Sequence, residues 1–575
     1  MLEDYELVFV FAPTSYGKTM ASPYLLNLAL HGAMANRLIH VVPVRALLRE
    51  IYYEKFSQFS KQFKVGYQSM DRIPGGDKSP YFLSDITVTT LDSFLWNIYK
   101  IPVAEISKVL RETSMGHYYP ALAAIQTSIV VFDEAHVYIG EYGEERERMA
   151  VMSVLEALHE LRVPTVLSTA TMSSKFVDNI IKTLGLCRDK VGVVYACENK
   201  CNENVRRLED LKLRVEYVEG LPSIIDWNTS IDDGSKIASL VGSYCRDKVV
   251  LVIANTVDRA IELYRESKEK CERVALIHSR LVEGDKRDSY SRMRKIREEG
   301  SGLIVASPIV EVGVEVDADI LITDEAPLEN LIQRAGRLCR SRSGMCNAEV
   351  IILKNTAGDY PYDKSEVQKS VSKIEEIIGR GDCIEWRLFN SKKCKPAIDI
   401  LDDVAEPPRI NPSLLLKDYL ISDARPLSLI EKSNINELFR SLSMIKVAVD
   451  ISKCINNDTI SLDCIERNLF ATSIPTLRWL ENRRKCLETS SGVEKYGVKV
   501  LILTAKWNTS KKEVFSIKEI NSSTLYNAIY KSNYDTIFKR IYQDIKNVLG
   551  EDEVEVDFFV KIKPECYKSG EGAYV

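Results

Sequence analysis

Two short stretches of this chain carry residues that could bind and hydrolyse a nucleotide. The first reads APTSYGKT, follows the apolar run ELVFVF and precedes a helical stretch. Backbone N–H groups and the helix N-terminus would then converge on phosphates. Lys18 would reach the β- and γ-phosphates, and Thr19 would hold Mg²⁺. The predicted nucleotide loop consists of Ala12, Pro13, Thr14, Ser15, Tyr16, Gly17, Lys18 and Thr19.

The second stretch, SIVVFDEAH, is an apolar run that ends in two adjacent carboxylates. In open α/β sheets, ligands bind at the carboxyl ends of the strands. We expect Asp133 to hold Mg²⁺, directly or through water, and Glu134 to position and deprotonate an attacking water. A solvated acidic strand end is the alternative, and the loop at 12–19 makes it improbable.

The elements that must position these residues are predicted from alternating short apolar runs and amphipathic stretches. One series covers residues 5 to about 195, and a second runs from about 249 to 355. Short, fully apolar runs are typical of strands that are covered on both faces, and their alternation with helices favours parallel sheets. The sequence therefore predicts two similar α/β domains followed by a C-terminal mixed α+β accessory domain.

Composition excludes some classes of protein. The chain has 575 residues, a net charge of −5, 45% hydrophobic and 28% charged residues. This is an ordinary globular composition without a global basic field, although a local groove could still attract nucleic acid. Thirteen cysteines form no CxxC pair, and Cys197 and Cys201 are the closest two. We interpret them as free thiols in a reducing cytosol rather than as a zinc site.

Neither a secretory leader nor a membrane span is predicted. The run ELVFVFAP is short and lacks a basic leader, and no apolar run approaches the roughly 20 residues needed to cross a bilayer. We therefore expect a soluble, cytoplasmic protein without a membrane partner.

Four motifs in order resemble the signature of superfamily 2 helicases: APTSYGKT, DEAH, LSTAT and QRAGRLCR. The resemblance covers about residues 10–345. It implies two RecA-like domains that close on ATP, with a nucleic-acid strand lying across both. The expected segments are 1–195 for the first domain, 196–240 for a connection, 241–358 for the second domain, 359–415 for a linker and 416–575 for the accessory domain.

Further site residues follow from this resemblance. PVRALLRE, TVTTLDSF and ASPIVEVGVEVDAD look like family motifs that contact nucleic acid, and the last also contacts nucleotide. The implied nucleic-acid contacts are Arg45, Thr89, Thr90 and Ser307, and Gly313 and Gln333 are implied on the nucleotide side. Arg337 and Arg340 are the implied arginine fingers, because guanidinium groups suit a phosphoryl group whose charge spreads in the transition state. Surface ion pairs are the alternative for both arginines.

Three further groups of residues have candidate roles, and for the last two groups the sequence allows two interpretations. The three-residue spacing of Arg334, Arg337 and Arg340 would allow all three to lie near one helical face. Ser168, Thr169 and Thr171 would couple hydrolysis to strand movement, or their hydroxyls would bond their own backbone. His278 and Arg280 end a predicted strand, where a nucleic-acid contact and a structural histidine are equally plausible.

A fourth stretch, IPTLRWLENRRKC, could contact DNA by stacking and charge. More plausibly, Leu477, Trp479 and Leu480 face a core, and the segment from Arg483 to Lys485 is solvated.

The spelling of three motifs resembles the signature motor of type I CRISPR interference. Full-length members of that family carry a histidine-aspartate nuclease domain, whereas none of the six histidines here is followed by Asp. We therefore expect an ATP- and Mg²⁺-dependent single-stranded-DNA translocase with a separate nuclease subunit and an RNA-guided complex as partners. The eleven residues before the loop would leave no room for the family's adenine-reading element in full. A DNA-repair or RNA helicase and a nucleotide-sensing scaffold without motor activity are the alternatives.

Overall fold

The computed structural model describes most of the chain. Described are residues 5–14, 16–69, 73, 75–100, 102, 105, 115–139, 145–197, 201–219, 225–235, 237–311, 315–340, 345–354, 361–387, 389, 393–407, 444–456, 459–491, 496–507, 513–531 and 554–573. Ser15 and Gly313 lie outside the described residues, as does the end of the predicted linker, from residue 408 to 415.

The first sheet has eight parallel strands, in the order β3-β4-β2-β5-β6-β1-β7-β8. They are β1 Leu7–Phe11, β2 Arg37–Val42, β3 Val65–Gln68, β4 Ile86–Thr90, β5 Ser128–Phe132, β6 Thr165–Thr169, β7 Val191–Ala196 and β8 Arg214–Val218. The α-helices that accompany this sheet are Lys18–His31, Arg45–Glu50, Leu91–Ile98, Tyr118–Gln126, His136–Ile139, Glu145–Glu160, Ser174–Leu184 and Glu203–Asp210. A π-helix covers Ile51–Phe56, and short 3₁₀ helices cover Ser57–Phe59 and Arg188–Lys190.

Six of these strands coincide with the predicted apolar runs, and most of their residues are buried. The other two are at the edges of the sheet. In β8 every residue is exposed or half-buried, so RVEYV carries no apolar run. Edge strands with one open side do not need the continuous apolar sequence of a covered strand.

The second sheet is also parallel and has the strand order β11-β12-β10-β13-β14-β9. Its strands are β9 Ile225–Asp232, β10 Val249–Ile253, β11 Val274–Ile277, β12 Gly302–Ala306, β13 Ile320–Asp324 and β14 Cys346–Leu353. Helices in this part of the chain are Ile237–Tyr244, Val257–Ser267, Glu283–Glu299, the 3₁₀ turn Pro308–Glu311, Leu328–Ala335, Lys364–Gly379 and Ala397–Val404. A small parallel pair, β15 Ile384–Glu385 and β16 Lys395–Pro396, follows.

The C-terminal region contains a mixed sheet in the order β20-β17-β24-β22-β21, with β23 paired to β22. Its strands are β17 Met444–Val449, β20 Leu469–Ser473, β21 Thr489–Ser491, β22 Tyr496–Trp507, β23 Glu513–Ser522 and β24 Val554–Ile562. Two small hairpins pair β18 Ile455–Asn456 with β19 Thr459–Ile460, and β25 Tyr567–Lys568 with β26 Gly572–Ala573. The helices are Ile451–Cys454, Leu462–Arg467, Ile474–Arg484, Ser523–Lys531 and Pro564–Cys566. These observations confirm the predicted fold class.

The described residues form two compact units. The first comprises Met1–Leu240, Lys248–Asn255 and Pro308–Glu431, and the second comprises Val241–Asp247, Thr256–Ser307 and Lys432–Val575. In the first unit, a core cluster joins the helix Lys18–His31 to β2, β4 and β5. In the second unit, the largest cluster lies against β17, β22 and β24. The segment bounds predicted from the sequence stay a prediction.

The expectation of free thiols is wrong for twelve of the thirteen cysteines. Their disulfides are Cys197–Cys201, Cys245–Cys271, Cys339–Cys346, Cys383–Cys394, Cys454–Cys464 and Cys486–Cys566. Only Cys187 is free, and it is exposed. Spacing in sequence could not indicate this pairing, because the partners are from 4 to 80 residues apart and the fold brings them together. Among the described residues, no group of three or more His, Cys, Asp or Glu side chains could hold a metal ion.

Candidate active site

The predicted nucleotide loop lies between β1 and the helix Lys18–His31. Gly17 is the N-cap of this helix and has a φ of 99°, in the left-handed region that an L side chain rarely adopts. The glycine is therefore required at this turn. Lys18 donates to two loop carbonyls, at 2.8 Å to Ala12 and 3.2 Å to Pro13. Its ammonium group thus lies over the concave side of the loop, where phosphate oxygens would replace the carbonyls.

Tyr16 extends from this loop and donates its hydroxyl proton to the backbone carbonyl of Glu219. Burial and the nearby Glu219 carboxylate raise the pKa of Tyr16, so the phenol stays protonated as a donor. The residue that departs from the usual small side chain at this position therefore ties the loop to the segment that follows β8.

The two residues predicted to hold Mg²⁺ are in direct contact. The Thr19 hydroxyl donates to Asp133 Oδ2 at 2.7 Å, although 114 positions separate them. Asp133 Oδ1 accepts from the Ser168 hydroxyl at 3.1 Å and from the backbone N–H of Glu134 at 3.1 Å. A hydroxyl and a carboxylate are the hard oxygen donors that Mg²⁺ prefers, so the residues present fit that ion.

Asp133 is held in its ionised form. Burial alone would raise its pKa, but the contact with His40 and the charge of Lys18 outweigh burial and hold the pKa well below its ordinary value. A carboxylate that is ionised at neutral pH can attract a divalent cation without first losing a proton.

Glu134 lies beside the buried His136. The φ of Glu134 is 48°, an uncommon value for a non-glycine residue, and such strained backbone clusters at functional sites. Its Oε2 atom is 3.6 Å from His136 Nδ1, and its side chain is 22% exposed, so solvent can reach it. Burial lowers the pKa of His136 to about 4, which makes its imidazole neutral at pH 7. Of the two adjacent carboxylates, Glu134 is therefore the one that is partly exposed to solvent, whereas Asp133 is buried.

The segment LSTAT shows the local backbone bonds that one of its two interpretations expected, and its coupling of hydrolysis to strand movement stays a prediction. The Thr169 hydroxyl bonds local backbone, at 3.0 Å to the Thr171 carbonyl and 3.1 Å from the Thr171 N–H. It also contacts His136 Nδ1 at 3.1 Å. Thr171, in contrast, accepts a hydrogen bond from Gln333 Nε2 at 2.9 Å. Hydroxyls that stabilise the local turn thus also connect the DEAH segment to Gln333.

Gln333 belongs to the helix Leu328–Ala335, which lies in the same compact unit as the loop. It is buried, and the carbonyl of Gly336 just after the helix accepts from the Thr14 hydroxyl at 3.3 Å. A Cβ at Gly336 would lie 3.0 Å from Thr14 Oγ1, so a larger residue would push the loop away. The residue that follows this helix therefore contacts the nucleotide loop, while Gln333 itself contacts Thr171.

The expected common helical face of the three arginines is wrong. The helix ends at Ala335, and Cys339 has a φ of 51°, so Arg337 and Arg340 lie beyond the helix on an irregular turn. Gly336 immediately follows the last helical residue, and glycine disfavours continued helix. The spacing alone could not reveal where the helix stops.

Arg334 is fully buried, and all of its guanidinium nitrogens are used. Its partners are Glu311 Oε1 at 2.7 Å, Thr323 Oγ1 at 2.7 Å, the Asp324 carbonyl at 3.1 Å, Asn255 Oδ1 at 3.0 Å and Tyr362 Oη at 2.9 Å. The sequence indicated this arginine but gave it no role. Its position fixes the helix against β10 and β13 rather than offering a charge to a ligand.

The two predicted arginine fingers have different surroundings. Arg337 is buried and donates to the carbonyl of Glu311. Burial and the neighbouring charge of Arg340 lower the pKa of Arg337 to about 9, so it remains charged at pH 7. Arg340 is half-buried, and its backbone N–H donates to Asp317 Oδ1 at 2.9 Å. Their role towards phosphate stays a prediction.

The predicted nucleic-acid residues are mostly engaged within the protein. The Thr89 hydroxyl donates to the Gln68 carbonyl at 2.9 Å, and Thr90 caps the helix Leu91–Ile98. Ser307 is buried, and its N–H donates to the Ile277 carbonyl at 3.1 Å. Arg45 is half-buried and begins the helix Arg45–Glu50. A contact of these residues with nucleic acid stays a prediction.

The environment of His278 is that of a buried structural histidine and not that of an exposed surface residue. Its Nε2 atom is 2.9 Å from the Glu571 carbonyl, and burial lowers its pKa to about 3. Gly572 has a φ of 86°, and a Cβ there would lie 2.5 Å from His278 Cε1. Arg280 pairs with Asp258 at 2.8 Å and donates to the Ala573 carbonyl at 3.3 Å. The hairpin of β25 and β26 therefore covers both side chains.

The helix Ile474–Arg484 confirms the preferred interpretation of its sequence. Leu477 and Leu480 are fully buried, and Trp479 packs against the same core. The side chains from Arg483 to Lys485 are exposed. Trp479 also lies between two guanidinium groups, those of Arg280 at 4.9 Å and Arg483 at 5.6 Å from its ring centre.

The fold and the site resemble those of superfamily 2 helicases, and two family models match parts of the chain. The family model described as "DEAD/DEAH box helicase" matches residues 2–180, and "CRISPR-associated nuclease/helicase Cas3, C-terminal" matches residues 246–343. More particularly, the chain is similar to Cas3 proteins, which confirms the resemblance to the CRISPR motor. In the described part of the chain, no helix combines the length and hydrophobicity that crossing a membrane requires.

Three relatives show the extent of this similarity. A Cas3 nuclease/helicase of Methanothermobacter thermautotrophicus is 24% identical over 76% of this chain and 51% of its own length. A Cas3 helicase of Thermoproteus tenax is 25% identical over 66% of this chain and 61% of its own length. The crystal structure of T. fusca Cas3-AMPPNP superposes with a TM-score of 0.54 at 14% identity, covering 81% of this chain and 62% of that one. The chain thus spans about half to three fifths of the length of these relatives.

Proposed function

We propose that this chain is an ATP- and Mg²⁺-dependent motor that moves along single-stranded DNA in CRISPR interference. One observation carries the proposal: a hydrogen-bonded path from His136 through Thr169 and Thr171 to Gln333. It connects the segment that holds the two carboxylates with the helix that precedes the two predicted arginine fingers. Such a path would couple the state of the nucleotide to the position of that helix.

The residues of the chain would divide the chemistry as follows. Lys18 would leave the loop carbonyls and bind the β- and γ-phosphates, while Thr19 and Asp133 would hold Mg²⁺. Mg²⁺, when bound, neutralises charge on the phosphate oxygens. Glu134 would orient a water in line with the γ-phosphorus and accept its proton as the new P–O bond forms. The bond to the ADP oxygen breaks at the same time, and inorganic phosphate leaves.

Arg337 and Arg340 would stabilise the charge that spreads over the equatorial oxygens in the transition state. Arg337 is suited to this role because it remains charged at neutral pH in spite of burial. The Glu311 carbonyl that it now contacts would be exchanged for phosphate oxygens.

The partners follow from the relatives rather than from the geometry. Relatives are named nuclease/helicase, whereas none of the six histidines in this sequence is followed by Asp. We propose that a separate histidine-aspartate nuclease subunit cuts the strand and that an RNA-guided surveillance complex exposes it in the cytoplasm. Co-purification with a small metal-dependent nuclease would support this proposal, and DNA degradation by the purified chain with a divalent metal would contradict it.

The experiment that tests the motor is ATP hydrolysis with and without single-stranded DNA, in the wild type and in Glu134→Gln. We expect DNA to stimulate hydrolysis and the variant to abolish it while still binding the nucleotide. Equal stimulation by single-stranded RNA would instead favour the broader class of superfamily 2 helicases.

A further inference from the structure

The central strand β2 carries one polar residue that no motif explains. His40 is fully buried in the stretch LIHVV, whose other residues are apolar and which follows Arg37 at the start of the strand. Its ring packs edge-on against Phe56, with the ring centres 5.2 Å apart. A buried imidazole is costly unless its two nitrogens find polar partners. The partners of His40 therefore indicate why it is there.

Each nitrogen of His40 faces a different element. Nδ1 is 3.1 Å from the Ser22 hydroxyl on the helix Lys18–His31, and Nε2 is 3.4 Å from Asp133 Oδ2 at the end of β5. A carboxylate attracts a proton onto the nitrogen that faces it, and Ser22 can then donate its hydroxyl proton to Nδ1. This arrangement places the Nε2 proton on the side that faces Asp133 Oδ2, although at 3.4 Å the pair does not yet form a hydrogen bond of good geometry.

The order serine, histidine and carboxylate is that of a hydrolase triad, but it cannot serve as one here. Ser22 is only 2% exposed, so no substrate can reach its hydroxyl. The contact must therefore act on Asp133, the only one of the three that faces the nucleotide loop through Thr19.

Two side chains face Asp133 Oδ2, and we expect only one of them to move when Mg²⁺ and the nucleotide bind. Thr19 donates to it at 2.7 Å, but the same hydroxyl is the one expected to turn towards Mg²⁺. His40 is on a rigid central strand, paired with Val88 on one side and Val131 on the other, and it cannot follow that movement. When Thr19 leaves, the Nε2 proton of His40 remains facing Oδ2.

We propose that His40 is a positioning residue that keeps the Asp133 carboxylate oriented for Mg²⁺ after Thr19 has turned to the cation. It would act as the histidine–carboxylate partners behind metal ligands do, fixing the orientation of a ligand without touching the metal. The inference rests on the proposed function, because it assigns a role within the same nucleotide site.

Two substitutions of similar size separate the contacts of His40. His40→Gln places an amide near the position of Nε2 and keeps a donor towards Asp133, whereas His40→Asn places it near Nδ1 and keeps only the Ser22 contact. We expect His40→Asn to raise the Mg²⁺ concentration needed for half-maximal binding of a fluorescent ATP analogue by about 10-fold. His40→Gln should stay within about 2-fold of the wild type, and binding without Mg²⁺ should be unchanged in both.

Equal shifts in the two variants, or no shift in either, would overturn the proposal. If the wild type bound the analogue with no dependence on Mg²⁺, the proposed function itself would fail and this inference with it. A second measurement does not depend on the folding of a variant: nitrogen NMR of the ¹⁵N-histidine-labelled, nucleotide-free chain, with His40 assigned by its shift in Ser22→Ala. We expect a proton on Nε2, and a tautomer with the proton on Nδ1 alone would contradict the proposal.

Discussion

Gln333 donates a hydrogen bond of 2.9 Å to the Thr171 hydroxyl, across 162 positions of the chain. Both side chains are buried, so their polar groups bond within the protein rather than to water. The bond connects the segment that follows the DEAH residues with the helix that leads to Arg337. Loss of this bond should therefore reduce the coupling of DNA binding to ATP hydrolysis more than it reduces nucleotide binding.

We predict that Thr171→Val leaves the buried Gln333 amide without its partner, at about 1–3 kcal/mol, and that Gln333→Leu costs less because the Thr171 hydroxyl still donates to Glu329 Oε1. The double variant should cost less than the sum, because it removes both groups together. DNA-stimulated ATP hydrolysis should fall in all three, while binding of the ATP analogue is retained. Additive effects in the double-mutant cycle would show that the two side chains do not interact.

Arg334 should be the most sensitive arginine of its motif for stability. Arg334→Lys keeps the charge but cannot reach five acceptors, so the buried Glu311 would lose its guanidinium partner and keep only the amide of Asn330. We expect a loss of about 3–5 kcal/mol in chemical denaturation. Arg467→Lys is the matched control, since its ion pair with Asp463 is exposed and should contribute less than about 1 kcal/mol. Similar small losses in both variants would refute the structural role of Arg334.

The Cys486–Cys566 disulfide should stabilise the C-terminal region. It closes the longest loop among the six, with 80 positions between its partners. Constraining a loop of this length in the unfolded state stabilises the folded state by about 4 kcal/mol. Cys486→Ala with Cys566→Ala should lower the thermal unfolding midpoint, and reductant should then have less further effect.

Cys187→Ala is the control for that experiment, because Cys187 is exposed and unpaired. It should leave the unfolding midpoint unchanged. Thiol counting under denaturing, non-reducing conditions should find one free thiol per chain. A count of thirteen would contradict the disulfides altogether.

His278 should make stability depend on pH. Burial lowers its pKa from 6.5 to about 3 in the folded chain, so between these values the unfolded chain binds the extra proton. Stability should therefore be fully present above about pH 6.5 and decline as pH falls towards 3, by up to about 1.4 kcal/mol per pH unit from this group.

His278→Gln should flatten this dependence, since glutamine keeps a donor for the Glu571 carbonyl but does not titrate. The comparison of denaturation between pH 7 and 4.5 isolates the histidine from the carboxylates, which the two chains share. Parallel pH profiles for both chains would mean that His278 is not buried in its neutral form.

Much of the fold and part of the site were predictable from the sequence. Covered parallel strands require continuous apolar runs, and these located six strands of the first sheet and both carboxylates at the end of β5. The edge strand β8 was not predicted, because its exposed residues do not need to form a continuous apolar run. The contact of Thr19 with Asp133 followed from the motif pair.

Other features depend on distant contacts that no local pattern encodes. The residue at which the helix before Arg337 ends, Gly336, contacts Thr14 from 322 positions earlier in the chain. The covering of His278 depends on a hairpin almost 300 positions later. His40 did leave a signal, as the single imidazole in an apolar run, but its meaning required the position of Asp133.

The central claim is that Glu134 activates water for DNA-stimulated ATP hydrolysis. Steady-state release of phosphate, measured with and without single-stranded DNA in the wild type and in Glu134→Gln, tests it most directly. We predict stimulation by DNA in the wild type and a loss of at least about 100-fold in the variant, with binding of the ATP analogue preserved. Hydrolysis that is not stimulated by DNA, or that is retained in Glu134→Gln, would contradict the proposed role of Glu134.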